Sequence, residues 1–191
     1  MNANASADTL DIRVEVDGPI GWLVVDNRRR RNALTKAMWL ALPGRIAALS
    51  ATEGLRAIVL RGGGEEDFVS GADISEFGDV RRDAATSRDY EAANVAAFAA
   101  LREAALPTVA MIRGFCLGGG MGLAAACDIR IVARGARFAV PAGRLGLAYP
   151  PEAIADFVRL IGPAKTKDLI FTSRRIDAAE AAAAGFADHL V

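Results

Sequence analysis

Two glycine-bearing segments have the residue types and positions to bind a developing negative charge. They are Ser70-Gly71-Ala72-Asp73 and Leu117-Gly118-Gly119-Gly120-Met121-Gly122. Each lies where an apolar strand pattern gives way to a helical one, so the first backbone N–H groups of the helix lack partners and the positive end of its dipole points outward. Two such N–H groups converging on one point would bind a carbonyl oxygen that becomes negative, as in the enolate of a thioester.

Glycine-rich segments also have competing interpretations. Either segment alone could be a turn or a place where helix and strand pack closely. A dinucleotide-binding fingerprint needs glycine at positions i, i+2 and i+5, and every glycine pair that meets the first spacing fails the last. The sequence has no Gly-Lys-Ser/Thr of a phosphate-binding loop and no Gly-x-Ser-x-Gly elbow of a hydrolase. His189 is the only histidine, which argues against a Ser-His-Asp triad.

Composition and charge limit the class of protein. The sequence has 191 residues, of which 52% are hydrophobic and 24% charged, as is typical of one globular domain. Its 23 basic and 23 acidic residues balance, so we expect neither nucleic acid nor a membrane as partner. Residues 1–9 are polar without a signal-peptide pattern, which predicts a disordered tail and a cytoplasmic protein. Cys116 and Cys127 have no Cys-x-x-Cys spacing, so with one histidine we predict no metal site.

The elements that must position the two elbows follow an α/β pattern. Strands are predicted over residues 10–16 and 20–25, as a hairpin, and over 56–60, 108–112, 128–133 and 137–140. Helices are predicted over residues 35–49, 83–105, 121–126, 152–161, 164–171 and 177–184. Thr35 is a candidate N-cap, Pro43 should kink or split its helix, and Asp73 with Glu76 has capping-box spacing. The order of elements favours helices packed on sheet faces in one core over residues 10–191.

Several short motifs occur in a specific order and spacing over residues 12–191. They are Arg31-Asn32-Ala33-Leu34, Phe68-Val69-Ser70-Gly71-Ala72-Asp73-Ile74, Gly114-Phe115-Cys116-Leu117-Gly118-Gly119-Gly120, Ala126-Cys127-Asp128-Ile129, Arg137-Phe138, Leu145-Gly146-Leu147, Asp177-Ala178-Ala179-Glu180 and Ala184-Gly185. In these motifs the sequence resembles the crotonase superfamily of acyl-CoA enzymes, which includes the enoyl-CoA hydratase/isomerase family.

The resemblance implies a spiral of strand–strand–helix turns and an acyl-CoA thioester as substrate. It implies coenzyme A as part of that substrate and no tightly bound cofactor. An oxyanion hole would be formed by the N–H groups of Ala72 and Gly119, in agreement with the two elbows. The substrate-binding residues that the resemblance implies are Arg31, Ala33, Leu34, Gly71, Asp73 and Gly118.

The sequence departs from the family where its hydratases carry two catalytic glutamates. The first lies two residues after the triple glycine and the second follows a proline, and Gly122 and Ala142 hold these positions here. A mechanism in which paired carboxylates position water and move protons therefore cannot be carried over. Tyr149 lies in the loop where other branches place an acidic residue or a tyrosine, so it is the candidate catalytic side chain, or else a packing residue. Glu152 is expected to be a partner of its helix dipole.

The pattern of the family also continues beyond the equivalent of Val191, into helices that complete the acyl-CoA pocket and pack subunits together. We therefore expect a crotonase-like fold lacking that C-terminal helical segment, and a homotrimer or dimer of trimers where the helices are present. The expected activity is that of a lyase or isomerase of the enoyl-CoA hydratase/isomerase family, acting through an enolate. The alternative is a non-catalytic homologue that binds CoA or mediates oligomer interactions.

Overall fold

The computed structural model describes residues 11–191 and places their strands in two sheets. The tail predicted for residues 1–9 lies outside the described residues. The strands are β1 (Asp11–Asp17), β2 (Ile20–Asp26), β3 (Ala57–Gly62), β4 (Thr108–Ile112), β5 (Phe115–Leu117), β6 (Ile129–Val132), β7 (Arg137–Ala139), β8 (Ile176–Asp177) and β9 (His189–Leu190). The helices are α1 (Lys36–Ser50), α2 (Phe77–Val80), α3 (Ala84–Arg102), α4 (Gly119–Ala126), α5 (Pro151–Thr172) and α6 (Ala178–Ala183). The predicted α/β class is confirmed.

The larger sheet has the strand order β1-β2-β3-β4-β6-β9. Its first two strands form the predicted antiparallel hairpin, and β2, β3, β4, β6 and β9 run parallel. The smaller sheet has the order β5-β7-β8. Strand β5 follows β4 after only Arg113 and Gly114, and it leads directly into α4. The chain therefore passes from the larger sheet through the smaller one to the second glycine elbow.

Helix α1 begins as predicted but is not split. The Thr35 hydroxyl oxygen accepts a hydrogen bond from the Met38 N–H at 3.2 Å, which caps the first turn. Of the two effects expected of Pro43, the split does not occur, because α1 continues to Ser50. Proline removes one backbone donor, but buried side chains on both sides of it hold the helix against the core. These side chains are Met38, Trp39, Leu42, Ile46 and Leu49.

Helix α5 contains the interruption that the sequence predicted between two helices. Gly162 has a φ of 73°, outside the helical region, so the run consists of two helical segments. Glycine adopts this conformation without the steric cost that a Cβ atom would bring. The predicted boundary between residues 161 and 164 is therefore confirmed.

The capping box predicted after the first elbow is only half present. The Asp73 carboxylate accepts a hydrogen bond from the Ser75 N–H at 3.0 Å. Glu76 does not return the bond, because its carboxylate accepts from the Lys36 N–H at 2.7 Å. A carboxylate is stabilised at the N-terminus of α1, where unpaired N–H groups and the helix dipole favour negative charge. Glu76 therefore ties the segment after the first elbow to α1.

Helices α1 and α3 are fixed to each other in the core by aromatic side chains. The Trp39 indole N–H donates to the Tyr90 hydroxyl at 3.0 Å, and both side chains are fully buried. The Trp39 ring meets Phe98 edge-on, with ring centroids 5.7 Å apart. Burial raises the pKa of Tyr90 to about 12, so the phenol stays neutral. These contacts set the position of α3 beside the second elbow.

Both cysteines are buried free thiols, as predicted. Burial raises the pKa of Cys127 to about 12 and also raises that of Cys116, which makes both poor nucleophiles. Within residues 11–191, no three His, Cys, Asp or Glu side chains are grouped so that they could hold a metal ion. No helix in the same range has both the length and the apolar character needed to cross a membrane.

An ion-pair network between α5 and α6 gives the fold an acid-dependent contribution to stability. Arg174 pairs with Asp168 at 2.6 Å and also with Glu180, which Lys165 contacts at 2.9 Å. The hydrogen bonds from Arg174 and Lys165 lower the pKa of Glu180 from 4.5 to about 2. Because the pKa of Glu180 is lower in the folded state, its ionised carboxylate stabilises the fold above pH 4.5. This stabilisation is lost as the pH falls towards 2.

We predict that Glu180→Gln melts at a lower temperature than the wild type at neutral pH, and that the two melting temperatures converge near pH 2. Thermal melts over this pH range measure the difference. A difference that stays constant down to pH 2 would contradict the role given to the Glu180 charge.

Candidate active site

The first elbow is aligned by a single parallel bridge between Leu34 and Ala72. The Leu34 N–H donates to the Gly71 carbonyl and the Leu34 carbonyl accepts from the Asp73 N–H, each at 2.8 Å. Because Leu34 bonds to the residues on either side of Ala72, the N–H of Ala72 itself points to the opposite side. Within the described residues, no backbone carbonyl accepts a hydrogen bond from the Ala72 N–H. This N–H is therefore a free donor at the elbow.

The second elbow provides the N-terminus of α4. The sequence predicted this helix from Met121, but it begins at Gly119, so two glycines of the elbow form its first turn. Gly118 precedes it, and its N–H donates to the Ala139 carbonyl at 2.8 Å. The Gly119 N–H is the first of the helix and has no carbonyl within the helix to bind. A second free donor therefore lies at the positive end of the helix dipole.

The two elbows lie against each other. A second parallel bridge, between Val69 and Cys116, joins the segments that lead into them. A Cβ atom placed on Gly71 would lie 3.6 Å from the Gly119 nitrogen, and one placed on Gly119 would lie 4.0 Å from the Ala72 nitrogen. The two free N–H groups therefore belong to adjoining backbone segments.

Both elbows line one cavity of about 130 Å³. Gly71, Ala72, Gly118 and Gly119 form its backbone wall. The large apolar side chains on the wall are Ile74, Phe77, Phe98, Leu145 and Leu147. The ionisable side chains on the wall are Arg81, Glu91 and Tyr149. The cavity thus combines apolar surface, unpaired backbone donors and a few polar groups, as is typical of a small-molecule site.

Comparison with known proteins decides the family. The sequence matches the family model described as enoyl-CoA hydratase/isomerase over residues 17–191. The chain belongs to the enoyl-CoA hydratase/isomerase family. The resemblance to the crotonase superfamily is therefore confirmed.

Individual relatives agree with this family. The crotonyl-CoA hydratase of Syntrophomonas wolfei is 30% identical over 181 residues, which cover 95% of this chain and 69% of that protein. The short-chain-enoyl-CoA hydratase of Clostridium acetobutylicum is 31% identical over 181 residues, which again cover 95% of this chain and 69% of that protein. A solved enoyl-CoA hydratase/isomerase family protein from Hyphomonas neptunium has a TM-score of 0.92 and 37% identity, covering 94% of this chain and 69% of that one.

Five of the residues predicted for the family's site line the cavity, and four do not. Gly71, Ala72, Gly118, Gly119 and Tyr149 are on its wall. The four outside are Arg31, Ala33, Leu34 and Asp73.

Three of the four outside residues are buried next to the first elbow. Ala33 and Leu34 are buried just before α1, and the Leu34 backbone bonds to Gly71 and Asp73 of the elbow. Asp73 is also buried. Its carboxylate accepts a hydrogen bond from the Ser75 hydroxyl and forms an ion pair with Arg30 at 3.3 Å. These residues shape the elbow, and their contact with a substrate stays a prediction.

Arg31 lies on the surface beside a separate groove. Its side chain is 61% exposed and lies 3.7 Å from Asp67. The guanidinium also covers the Phe115 ring, 4.7 Å from the ring centroid. An exposed ion pair of this kind is weak, so Arg31 remains able to exchange its partner for a phosphate. Its predicted role in substrate binding is untested.

Gly122, where the resemblance places the family's first glutamate, has no room for a side chain unless its neighbours move. A Cβ atom on Gly122 would lie 2.6 Å from Cζ of Phe98 and 2.9 Å from the Tyr149 hydroxyl. Contacts this short require the neighbouring rings to move. The space beside α4 that a longer side chain would need is therefore filled from α3 and from the loop before α5.

The Tyr149 hydroxyl is used within the site. It donates to the Gly118 carbonyl at 2.8 Å, and its ring stacks on Phe157 with centroids 5.6 Å apart. Burial raises its pKa well above the ordinary value of a phenol. Tyr149 therefore stays protonated near neutral pH and cannot act as a base there. The hydrogen bond from Tyr149 fixes the backbone of Gly118, the residue that precedes the free Gly119 N–H.

Three polar residues of the cavity were not identified from the sequence, namely Arg81, Glu91 and Asn94. Glu91, Asn94 and Phe98 have the spacing of one helix face, and all three line the cavity. This helical spacing could have identified the three residues as neighbours. Because α3 is rich in alanine on every side, however, the sequence did not show which face of the helix meets the site. Glu152, by contrast, is exposed and does not belong to the lining.

We predict that Tyr149→Phe lowers the free energy of unfolding by about 0.5–1.5 kcal/mol, the usual net contribution of one intramolecular hydrogen bond. The ring and its stacking on Phe157 remain, so only the bond to the Gly118 carbonyl is lost. Urea unfolding of the two proteins measures the change. An unfolding free energy equal to that of the wild type would show that this hydrogen bond does not support the elbow.

Proposed function

We propose that the protein is an acyl-CoA enzyme that binds the thioester carbonyl oxygen between the N–H groups of Ala72 and Gly119 and stabilises the enolate formed from it. The observation that carries this proposal is the pair of free N–H groups on adjoining backbone at one cavity. Family membership supports the thioester, because the relatives include a crotonyl-CoA hydratase and a short-chain-enoyl-CoA hydratase.

Backbone donors of this kind are effective because they are already oriented when charge develops. Each donor of an oxyanion hole typically contributes about 10²- to 10³-fold in rate. The dipole of α4 favours the same charge, since Gly119 is its first residue. The cavity that both elbows line has a volume of about 130 Å³. We place the CoA portion outside it, along Arg31 to Leu34 and the first elbow.

We predict that hydration of crotonyl-CoA is slow or undetectable beside a relative that has both glutamates. Gly122 and Ala142 offer no group to activate water, and each lost acid or base costs about 10²- to 10⁴-fold. Loss of the crotonyl-CoA absorbance, measured for both enzymes at equal concentration, gives the ratio of rates. Equal rates would mean that another carboxylate performs the hydration.

The decisive experiment removes one donor of the oxyanion hole. A Cβ atom on Gly119 would lie 2.7 Å from the Trp39 ring, so any substitution there disturbs packing. Gly119→Ala and Gly119→Pro share this contact, but only proline lacks the N–H, and proline is tolerated at the first position of a helix. We predict that Gly119→Pro turns over the best substrate at least about 10²-fold more slowly than Gly119→Ala.

Turnover is measured by mass spectrometry after incubation with a mixed panel of acyl-CoA thioesters, and thermal melts establish that both variants fold. Equal turnover by the two variants would contradict the oxyanion-hole assignment. Calorimetric binding of thioesters without turnover of any of them would instead support a non-catalytic CoA-binding homologue. The homotrimer, the cytoplasmic location and the absence of a metal stay predictions.

A further inference from the structure

Formation of an enolate from a saturated acyl thioester requires a group that accepts a proton from the α-carbon. Arg81, Glu91 and Tyr149 are the ionisable side chains on the cavity wall within residues 11–191. A guanidinium stays protonated in proteins and has no acceptor atom. The Tyr149 phenol is neutral, and its hydrogen is donated to the Gly118 carbonyl. Of the three, only the Glu91 carboxylate offers free acceptor oxygens to a substrate proton.

Three buried or partly buried carboxylates near the cavity are bound to other parts of the protein. Asp73 pairs with Arg30 and caps the turn after the first elbow. Glu76 accepts from the Lys36 N–H at the start of α1. Asp156 is buried and pairs with Arg102 at 2.7 Å and with Arg159 at 3.2 Å. None of these three carboxylates lines the cavity.

Glu91 differs from these three carboxylates both in its position and in its bonding. It is partly buried on the cavity wall, and in the described part of the chain its carboxylate has neither a hydrogen bond nor an ion pair. Its helix is fixed on both sides of the residue, because neighbouring Tyr90 bonds to Trp39 and Phe98 packs against α4. A free carboxylate on a rigid wall is well suited to act on a substrate rather than on the protein.

We propose that Glu91 is the catalytic base that removes the α-proton of the bound thioester and returns a proton to that carbon. This inference rests on the proposed function. In the forward step the electron pair of the Cα–H bond forms the Cα=C bond, and the carbonyl π electrons move to the oxygen held by the Ala72 and Gly119 N–H groups. The Glu91 carboxylate becomes a carboxylic acid. Reversal of the step restores the thioester, so no other reactant is consumed.

The step can be measured without knowledge of the net reaction. With butyryl-CoA in D₂O, protonated Glu91 exchanges with solvent and delivers deuterium to the α-carbon, which mass spectrometry detects. We predict that the wild type incorporates deuterium at saturating butyryl-CoA and that Glu91→Gln does so about 10²- to 10⁴-fold more slowly. Glutamine has nearly the same shape and helix propensity, so the fold should be kept.

Asp89→Asn is the matched control, since Asp89 is exposed on the same helix and does not line the cavity. It removes one negative charge from the same region and should exchange at the wild-type rate. Glu91→Asp keeps the carboxylate at a shorter reach and should retain part of the exchange. Thermal melts establish that all variants are folded.

The outcomes separate the two proposals. Exchange by Glu91→Gln at the wild-type rate would overturn the assignment of Glu91 and leave the proposed enolate chemistry in place. An equal loss in Asp89→Asn would also overturn it, because the effect would then be one of overall charge. Absence of exchange in the wild type with butyryl-CoA and with every other thioester of the panel would overturn the proposed function, and the role of Glu91 with it.

Discussion

The close contact between the two glycine elbows is the constraint on which the site depends. Two isolated parallel bridges, Leu34–Ala72 and Val69–Cys116, hold the segment before α2 between the segment before α1 and strand β5. The Leu34–Ala72 bridge leaves the Ala72 N–H without a backbone partner within the described residues, and the Gly119 N–H is free because it is the first of α4. The donors are therefore parts of rigid backbone and need no reorganisation when charge develops on a ligand.

The packing of α3 against α4 then determines which side chains can reach the cavity. Phe98 and the Tyr149 hydroxyl occupy the volume next to Gly122, so a carboxylate cannot project from α4 without displacing them. The same helix α3 that closes this position carries Glu91 on the face that it turns to the cavity. Helix α3 thus both restricts the space beside Gly122 and contributes Glu91 to the cavity lining.

Much of this arrangement follows from local sequence rules. The glycine elbows, the Thr35 cap and the break at Gly162 depend on residues close in the chain and were predicted, although α4 begins two residues earlier than expected. The role of Glu76 was missed because its partner, the Lys36 N–H, is distant in sequence. Pro43 did not break α1 because tertiary burial outweighed the lost hydrogen bond.

Glu91 illustrates the limit of local rules most clearly. A helix normally shows its buried face by apolar periodicity, but α3 has alanine on all sides, so several faces are compatible with packing. The face is selected by three larger residues, Tyr90, Asn94 and Phe98, whose contacts lie on α1 and α4 or within α3 itself. The position of the carboxylate therefore depends on tertiary contacts that no short motif records.

The electrostatics of the proposed step also follow from this placement. A carboxylate near an oxyanion hole would oppose a second negative charge if both existed together. In the proton transfer they do not, because Glu91 becomes neutral as the enolate oxygen becomes charged. The negative charge is moved from Glu91 to the enolate oxygen rather than created, and the N–H dipoles stabilise it there. Arg81, which lies over the rings of Phe77 and Tyr90 at 5.1 and 4.7 Å from their centroids, places a positive charge in the lining of the same cavity. A protein with no net charge can thus stabilise an anion locally, through the position of a few groups.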